Sequence, residues 1–217
     1  MTFDELVRRL REKLLDPLPG DSAHAPMRAL PLGDLTPKFD HSLPPKPGGV
    51  LILLYEDESG LVRFPLIKRQ EYAGAHSGQV SLPGGKAEQG EDPIFTALRE
   101  CEEEIGVDRN SLVVLGRLTN FFVIPSNFII TPVIAVADFI PAFKPDPYEV
   151  ARVMSFSLYD LLRDDAIKQK EIEAAGRFRL MAPHFEIDGD IIWGATAMML
   201  NEFRTVLLSI YDPPSRL

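Results

Sequence analysis

Glu100, Glu103 and Glu104 stand at i, i+3 and i+4 in this 217-residue chain. On a helix those three carboxylates share one surface. At about 100° per residue, Ile94, Ala97, Leu98, Cys101 and Ile105 fall on the adjoining face, while Arg99 and Glu102 lie away from the acidic arc. Carboxylates stacked in this way repel one another by a few tenths of a kcal/mol per pair. They also sit at the end of the helix where the macrodipole disfavours anions. A divalent cation reconciles the arrangement, because hard ions take oxygen ligands and carboxylates supply both charge and geometry. The plain alternative is a solvated acidic face, which is the ordinary reading of an isolated Glu-Glu-Glu triplet. Upstream, Gly84-Gly85 allows a tight turn and a close backbone approach, so that a carbonyl could point at the same ion. Alone, a Gly-Gly pair is an ordinary turn. Gly84-Gly85-Lys86 lacks the spacing of a phosphate-cradling loop and the hydroxyl residue after its lysine.

These groups need a rigid helix and a sheet to hold it. Residues 92–105 predict the helix, with Asp92 at the N-cap, Pro93 at the first helical position and Gly106 just past the end. Val50–Tyr55 and Leu61–Arg69 read as a hairpin turned at residues 56–60, followed by Val80–Leu82 and the turn at Pro83-Gly84-Gly85. Further strands are expected at Leu112–Leu118, Ile129–Ala137 and about Glu149–Ser155, with a short helix at Leu158–Arg163. A second hairpin, Phe178–Phe185 with Asp190–Trp193, is turned at Asp188-Gly189 and leads to a final helix over Ala195–Tyr211. Ahead of all this, Phe3, Leu6, Val7, Leu10 and Leu14 predict an amphipathic helix over residues 2–15. A proline-rich stretch without periodicity then runs to Gly49 and is expected as an irregular connector on the surface. The expected class is α+β, with residues 1–47 as an N-terminal helix and proline-rich arm and residues 48–217 as the main domain.

The segment from Gly85 to Val107 resembles the Nudix box. Gly85, Glu91, Arg99, Glu100, Glu103, Glu104, Gly106 and Val107 match it in register, and Cys101 stands where an aliphatic residue is usual. The resemblance implies an α/β/α sandwich with a mixed sheet and a hydrolase that cleaves phosphoanhydrides with Mg2+ or Mn2+. By the same resemblance Gly84 (through its carbonyl), Glu100, Glu103 and Glu104 hold the metal. Glu100 or Glu149 is the catalytic base, and Arg99 braces Glu91 in a structural ion pair. Leu66–Arg69 and His76–Gly85 resemble the coenzyme A pyrophosphatase branch of that family, as does Trp193–Ala197. Gly74 and Gln70 depart from that branch, where Arg and Ser are usual. Coenzyme A or an acyl-CoA is the substrate this implies. ADP-ribose or a dinucleoside polyphosphate is the alternative, and a non-catalytic nucleotide-binding module a further one. Arg69 and Lys86 are the candidate phosphate contacts, with His76, Ser126 and Asn127 as weaker candidates near the site. Trp193 reads as core.

The bulk composition agrees with a small-molecule enzyme. A net charge of −9 argues against nucleic acid and anionic membranes as partners. It does not argue against a small anionic substrate, since bound cations invert the local field. Cys101 is the only cysteine, which excludes an intramolecular disulfide and suits a reducing compartment. The N-terminus has charges throughout and no secretory pattern, and the longest apolar runs are too short to span a bilayer as helices. The expectation is a cytoplasmic enzyme without membrane or nucleic-acid partners, and a homodimer is compatible with it.

Overall fold

The computed structural model describes residues 1–33, 39–71, 77–174 and 178–211. The chain opens with α1 (Phe3–Lys13), capped by the Thr2 hydroxyl, which accepts from the Glu5 N–H at 3.2 Å. Helix α2 (Asp21–His24) and strand β1 (Leu30–Pro31) follow. Then come β2 (Lys46–Glu56), β3 (Val62–Arg69), β4 (Val80–Ser81), β5 (Gly84–Lys86) and α3 (Pro93–Ile105). The middle of the chain forms β6 (Val113–Arg117), β7 (Phe121–Val123), β8 (Phe128–Val136) and β9 (Val150–Ser157). It closes with α4 (Leu158–Leu162), β10 (Lys168–Ala174), β11 (Phe178–Ile187), β12 (Asp190–Ile192) and α5 (Gly194–Ile210).

The expected mixed α+β arrangement is present, and its sheet is parted in the middle. β2 and β3 pair only next to their turn, at Tyr55↔Arg63 and Glu56↔Val62. Beyond that point they separate. β2 takes β5 on one side, antiparallel, and β8 on the other, parallel from Lys46↔Phe128 to Leu54↔Val136. β3 takes β9 and β4 instead, both antiparallel. Alternation along the strands then feeds two cores. Leu51, Leu53, Val133 and Ala135 point to α3, where they meet Ala97, Cys101 and Ile105. Ile52, Leu54, Phe64 and Leu66 point the other way, to Phe203, Leu207 and the α1 residues Leu6 and Leu10.

Two expectations about order need correction. The stretch between Pro17 and Gly49 is not wholly irregular. It contains α2 and a single 3-10 turn at Ala25–Met27, with Met27 and His24 buried, and β2 already begins at Lys46. These pieces are too short to carry a periodic signal, and tertiary burial creates them. β10 was also unforeseen. Its sequence, Lys168–Ala174, is mostly charged and exposed, and pairing with β11 from Lys168↔His184 to Ala174↔Phe178 makes it a strand. The β11–β12 hairpin does turn at Asp188-Gly189, with φ of 50° and 84°. Two consecutive positive φ angles are what a two-residue hairpin turn of the right twist requires.

Candidate active site

The site is assembled where α3 lies across β2 and β5, and glycines set how closely it lies. A Cβ on Gly49 would fall 2.2 Å from the Pro93 carbonyl oxygen and 2.9 Å from the Ala97 nitrogen. The helix backbone therefore rests directly on the strand. Asp92 caps it by accepting from the Ile94 N–H at 2.8 Å, and Gly106 closes it in the left-handed conformation at φ 74°. A Cβ on Gly85 would fall 2.4 Å from the Glu100 carboxylate, so that carboxylate lies immediately over the glycine turn.

Glu104 is the buried member of the acidic face, with 2% of its side chain exposed. Its Oε2 accepts from the Gly84 N–H at 2.8 Å. Arg69 reaches the same corner, with Nη2 3.3 Å from the Gly84 carbonyl oxygen and 3.7 Å from Glu104 Oε1. Burial pushes the Glu104 carboxyl up to about 7; Arg69 and the Gly84 N–H oppose that rise, and Glu100 and Glu149 add to it. The Glu100 carboxyl is also raised, first by burial, with Glu103 and Glu149 adding to the rise. Glu149 sits on the loop before β9. That loop is tied to the helix end by Asp146, whose N–H donates to the Glu104 carbonyl at 3.0 Å. It is tied to Gln70 by the Gln70 N–H donating to the Glu149 carbonyl at 3.0 Å.

Arg99 does more than the helical wheel implied. It binds Glu91 twice, Nε to Oε1 at 2.8 Å and Nη2 to Oε2 at 3.1 Å. It also reaches Glu100 at 2.9 Å, Glu103 at 2.8 Å and the Lys86 carbonyl at 3.2 Å. A long side chain one position off the acidic arc thus bends back across it, so Arg99 does not lie apart from the carboxylates. Glu91 accepts in addition from the Glu88 N–H and from the Thr96 hydroxyl, and its carboxyl is held at about 2, chiefly by Arg99. Thr96 is a part of this bracket that the sequence did not signal. Arg99→Ala is expected to lower stability by on the order of 2 kcal/mol, because it strips charge-assisted bonds from a largely enclosed carboxylate. Activity should fall with it. Urea denaturation checks this; a variant that unfolds like the native protein but is inactive would move Arg99 from bracing to substrate contact.

Among the described residues, no three His, Cys, Asp or Glu side chains converge as a ready metal cluster. Arg99 and Arg69 draw the carboxylates to themselves instead. The donor set still suits a hard divalent cation, since it consists of carboxylate and carbonyl oxygens. Two of its carboxyls are raised, first by burial and then by neighbouring carboxylates, and the Gly84 carbonyl and Glu104 already share one cationic neighbour in Arg69. Glu103 is the outermost of the set, with 58% of its side chain exposed.

Of the other expected site residues, Arg69 is brought among the carboxylates and Lys86 is not. Gly85 faces α3, so the next residue, paired with Gly48, turns to the opposite side of the sheet. The Asn127 side-chain amide donates to the Leu43 carbonyl at 3.0 Å, which anchors the arm to the start of β8. Trp193 is half-buried and precedes α5 at its N-cap. His76 and Gly74 lie outside the described residues. A second buried carboxylate went unnoticed in the sequence. Glu202, fully buried on α5, accepts from the Gly20 N–H at 3.1 Å and the Thr119 hydroxyl at 2.6 Å, and pairs with His24 at 2.9 Å. It locks α2 to the final helix, and partners so distant in the chain leave no local signal.

The NUDIX domain family profile matches residues 45–175, which includes every carboxylate of this site. The chain belongs to the Nudix family. Among Nudix relatives, Nudix hydrolase 22, chloroplastic, from Arabidopsis thaliana is 37% identical over 177 residues, covering 78% of this chain and 57% of the relative. Nudix hydrolase 15, mitochondrial, from the same plant is 36% identical over 178 residues, covering 79% and 61%. The chain therefore spans less than two thirds of the length of either. The crystal structure of the M. smegmatis Nudix hydrolase RenU superposes with a TM-score of 0.55 at 18% identity, over 79% of this chain and 91% of that one. That likeness is one of fold.

Proposed function

We propose that this Nudix protein hydrolyses the pyrophosphate linkage of a nucleoside diphosphate derivative, with coenzyme A or an acyl-CoA as the leading substrate. The observation that carries the reading is Glu104, a carboxylate 2% exposed, raised by burial and by its acidic neighbours, and held against the Gly84 turn. A carboxylate kept in that position without a full counter-charge is arranged for a cation and not for stability. Gly84 through its carbonyl, Glu100, Glu103 and Glu104 would hold Mg2+ or Mn2+. When bound, the ion supplies neutralisation of the phosphate oxygens and a lowered pKa for the attacking water.

The remaining work falls to the chain itself. Either Glu100 or Glu149 takes the proton of the attacking water. Both carboxylates sit close enough to Glu104 to raise it, and Glu149 also raises Glu100. Arg69 stands at the turn where a substrate phosphate would arrive, and Lys86 would meet the substrate from beyond the edge strand. Arg99, Glu91, Gly85 and Gly106 keep the helix and loop in place. The coenzyme A assignment is supported by the resemblance of Leu66–Arg69, His76–Gly85 and Trp193–Ala197 to that branch, and ADP-ribose or a dinucleoside polyphosphate is the alternative. A cytoplasmic location forms part of this proposal, although the two plant relatives are chloroplastic and mitochondrial by name.

A panel of coenzyme A, acetyl-CoA, ADP-ribose and diadenosine polyphosphates, resolved by chromatography, tests the reading. Cleavage of coenzyme A into 3′,5′-ADP and 4′-phosphopantetheine is the expected result, and preference for ADP-ribose would move the assignment to the alternative. Chelation should abolish turnover, and Mg2+ or Mn2+ should restore it. Full activity in metal-free buffer would remove the carboxylates from the chemistry.

A further inference from the structure

Lysines, like glutamates, cost stability when placed side by side on one sheet face, since like charges at neighbouring positions repel. Lys46 and Lys86 are placed so. Lys86 is the cross-strand partner of Gly48, and Lys46 precedes Gly48 by two residues, so both side chains leave the sheet on the side away from α3. Their backbones are about 7 Å apart along the strand and about 5 Å across it, within reach of one small anion for two long side chains. Among the described residues neither lysine has a carboxylate partner, in a chain with 32 acidic against 23 basic residues. Lys46 instead lies over the ring of its parallel-strand partner Phe128, 5.7 Å from the centroid. Beside them Ile130, half-buried, covers Gly48. The next residue pair on this face of β2 is Val50 and Gly84, so this surface abuts the glycine turn of the site.

Two ammonium groups without a carboxylate partner, one of them over an aromatic ring and both one edge strand from the acidic site, suit a planar base carrying a phosphate. We infer that Lys46, Lys86 and Phe128 form an anion subsite for a phosphomonoester group of the substrate outside the scissile pyrophosphate, with Phe128 and Ile130 as the floor for the adjoining ring. The inference rests on the proposed nucleotide substrate and adds the reason a doubly phosphorylated nucleoside would be preferred. Arg69, already engaged with the Gly84 carbonyl and Glu104, is then not the group that reads this phosphate.

Isothermal titration calorimetry in metal-free buffer tests it, with adenosine 3′,5′-bisphosphate and adenosine 5′-monophosphate as probes. The native protein is expected to bind the bisphosphate at least tenfold more tightly. The double variant Lys46→Ala, Lys86→Ala should bring the two to within about twofold, and Lys46→Arg, Lys86→Arg should keep most of the preference. Phe128→Ala should weaken both nucleotides alike, with circular dichroism confirming the fold. Equal affinities in the native protein, or a preference that survives removal of both lysines, overturns the subsite. Because the readout is binding, a protein that prefers the bisphosphate without cleaving coenzyme A would sink the proposed reaction and leave the subsite standing. One that cleaves coenzyme A without the preference would do the reverse.

Discussion

Glu104→Gln should abolish turnover and yet make the chelated protein more stable at pH 8. The loss follows from removing a charged oxygen ligand with almost no change in volume, and is expected to be on the order of 10²-fold or more. The gain in stability follows from proton linkage. In the folded protein the Glu104 carboxyl is pushed from 4.5 up to about 7 by burial. A raised carboxyl binds its proton in the folded state at pH values where the unfolded chain has already released it, so stability falls as pH rises from about 4.5 through about 7. Above that window the native protein carries the full penalty, at most about 3 kcal/mol for a group this enclosed. Glutamine keeps an acceptor for the Gly84 N–H, which donates at 2.8 Å, and has no charge to desolvate. Thermal melts in chelator should therefore show the variant above the native protein at pH 8 and level with it near pH 4.5. A variant less stable than the native protein at pH 8 would show that the carboxylate is fully compensated without a cation.

Gly49→Ala should cost the domain more stability than almost any other single added methyl group. Its Cβ would meet the Pro93 carbonyl oxygen at 2.2 Å and the Ala97 nitrogen at 2.9 Å. Both are backbone atoms of α3, so neither can swing aside. The helix must lift, and with it goes the contact of Ala97, Cys101 and Ile105 with Leu51, Leu53 and Val133. A cost of roughly 3 kcal/mol or more is expected in urea denaturation, together with loss of activity as the carboxylates move off the turn. Gly85→Ala provides the contrast. Its clash, at 2.4 Å, is with the Glu100 carboxylate, the far end of a side chain. That variant should lose activity at a smaller cost in stability. If Gly49→Ala unfolds at the native urea concentration, the helix does not rest on the strand as closely as described.

The legible features were local ones. Asp92, Pro93 and Gly106 bound α3 because caps act within a few residues, and the spacing of Glu100, Glu103 and Glu104 places them on one helical surface in any fold. Asp188-Gly189 forces its hairpin for the same reason: the backbone angles it needs belong to those two residues. The box motif also gave the family that the NUDIX profile match places this chain in, although not the substrate. Where the side chains end up was decided in three dimensions. Arg99 gains Glu91 beside its helix neighbours Glu100 and Glu103 because the Glu88–Glu91 loop folds back on the helix, and Arg69 joins Glu104 because β3 parts from β2 and runs beside the glycine turn. Lys86 turns away from the carboxylates because it falls on the other face of an edge strand whose register only pairing with β2 sets. The burial that raises Glu104, and the closure of Glu202 over Gly20, His24 and Thr119, depend on contacts between residues far apart in the chain. Such contacts leave no periodicity to read, because each partner's neighbours in the chain are indifferent to it.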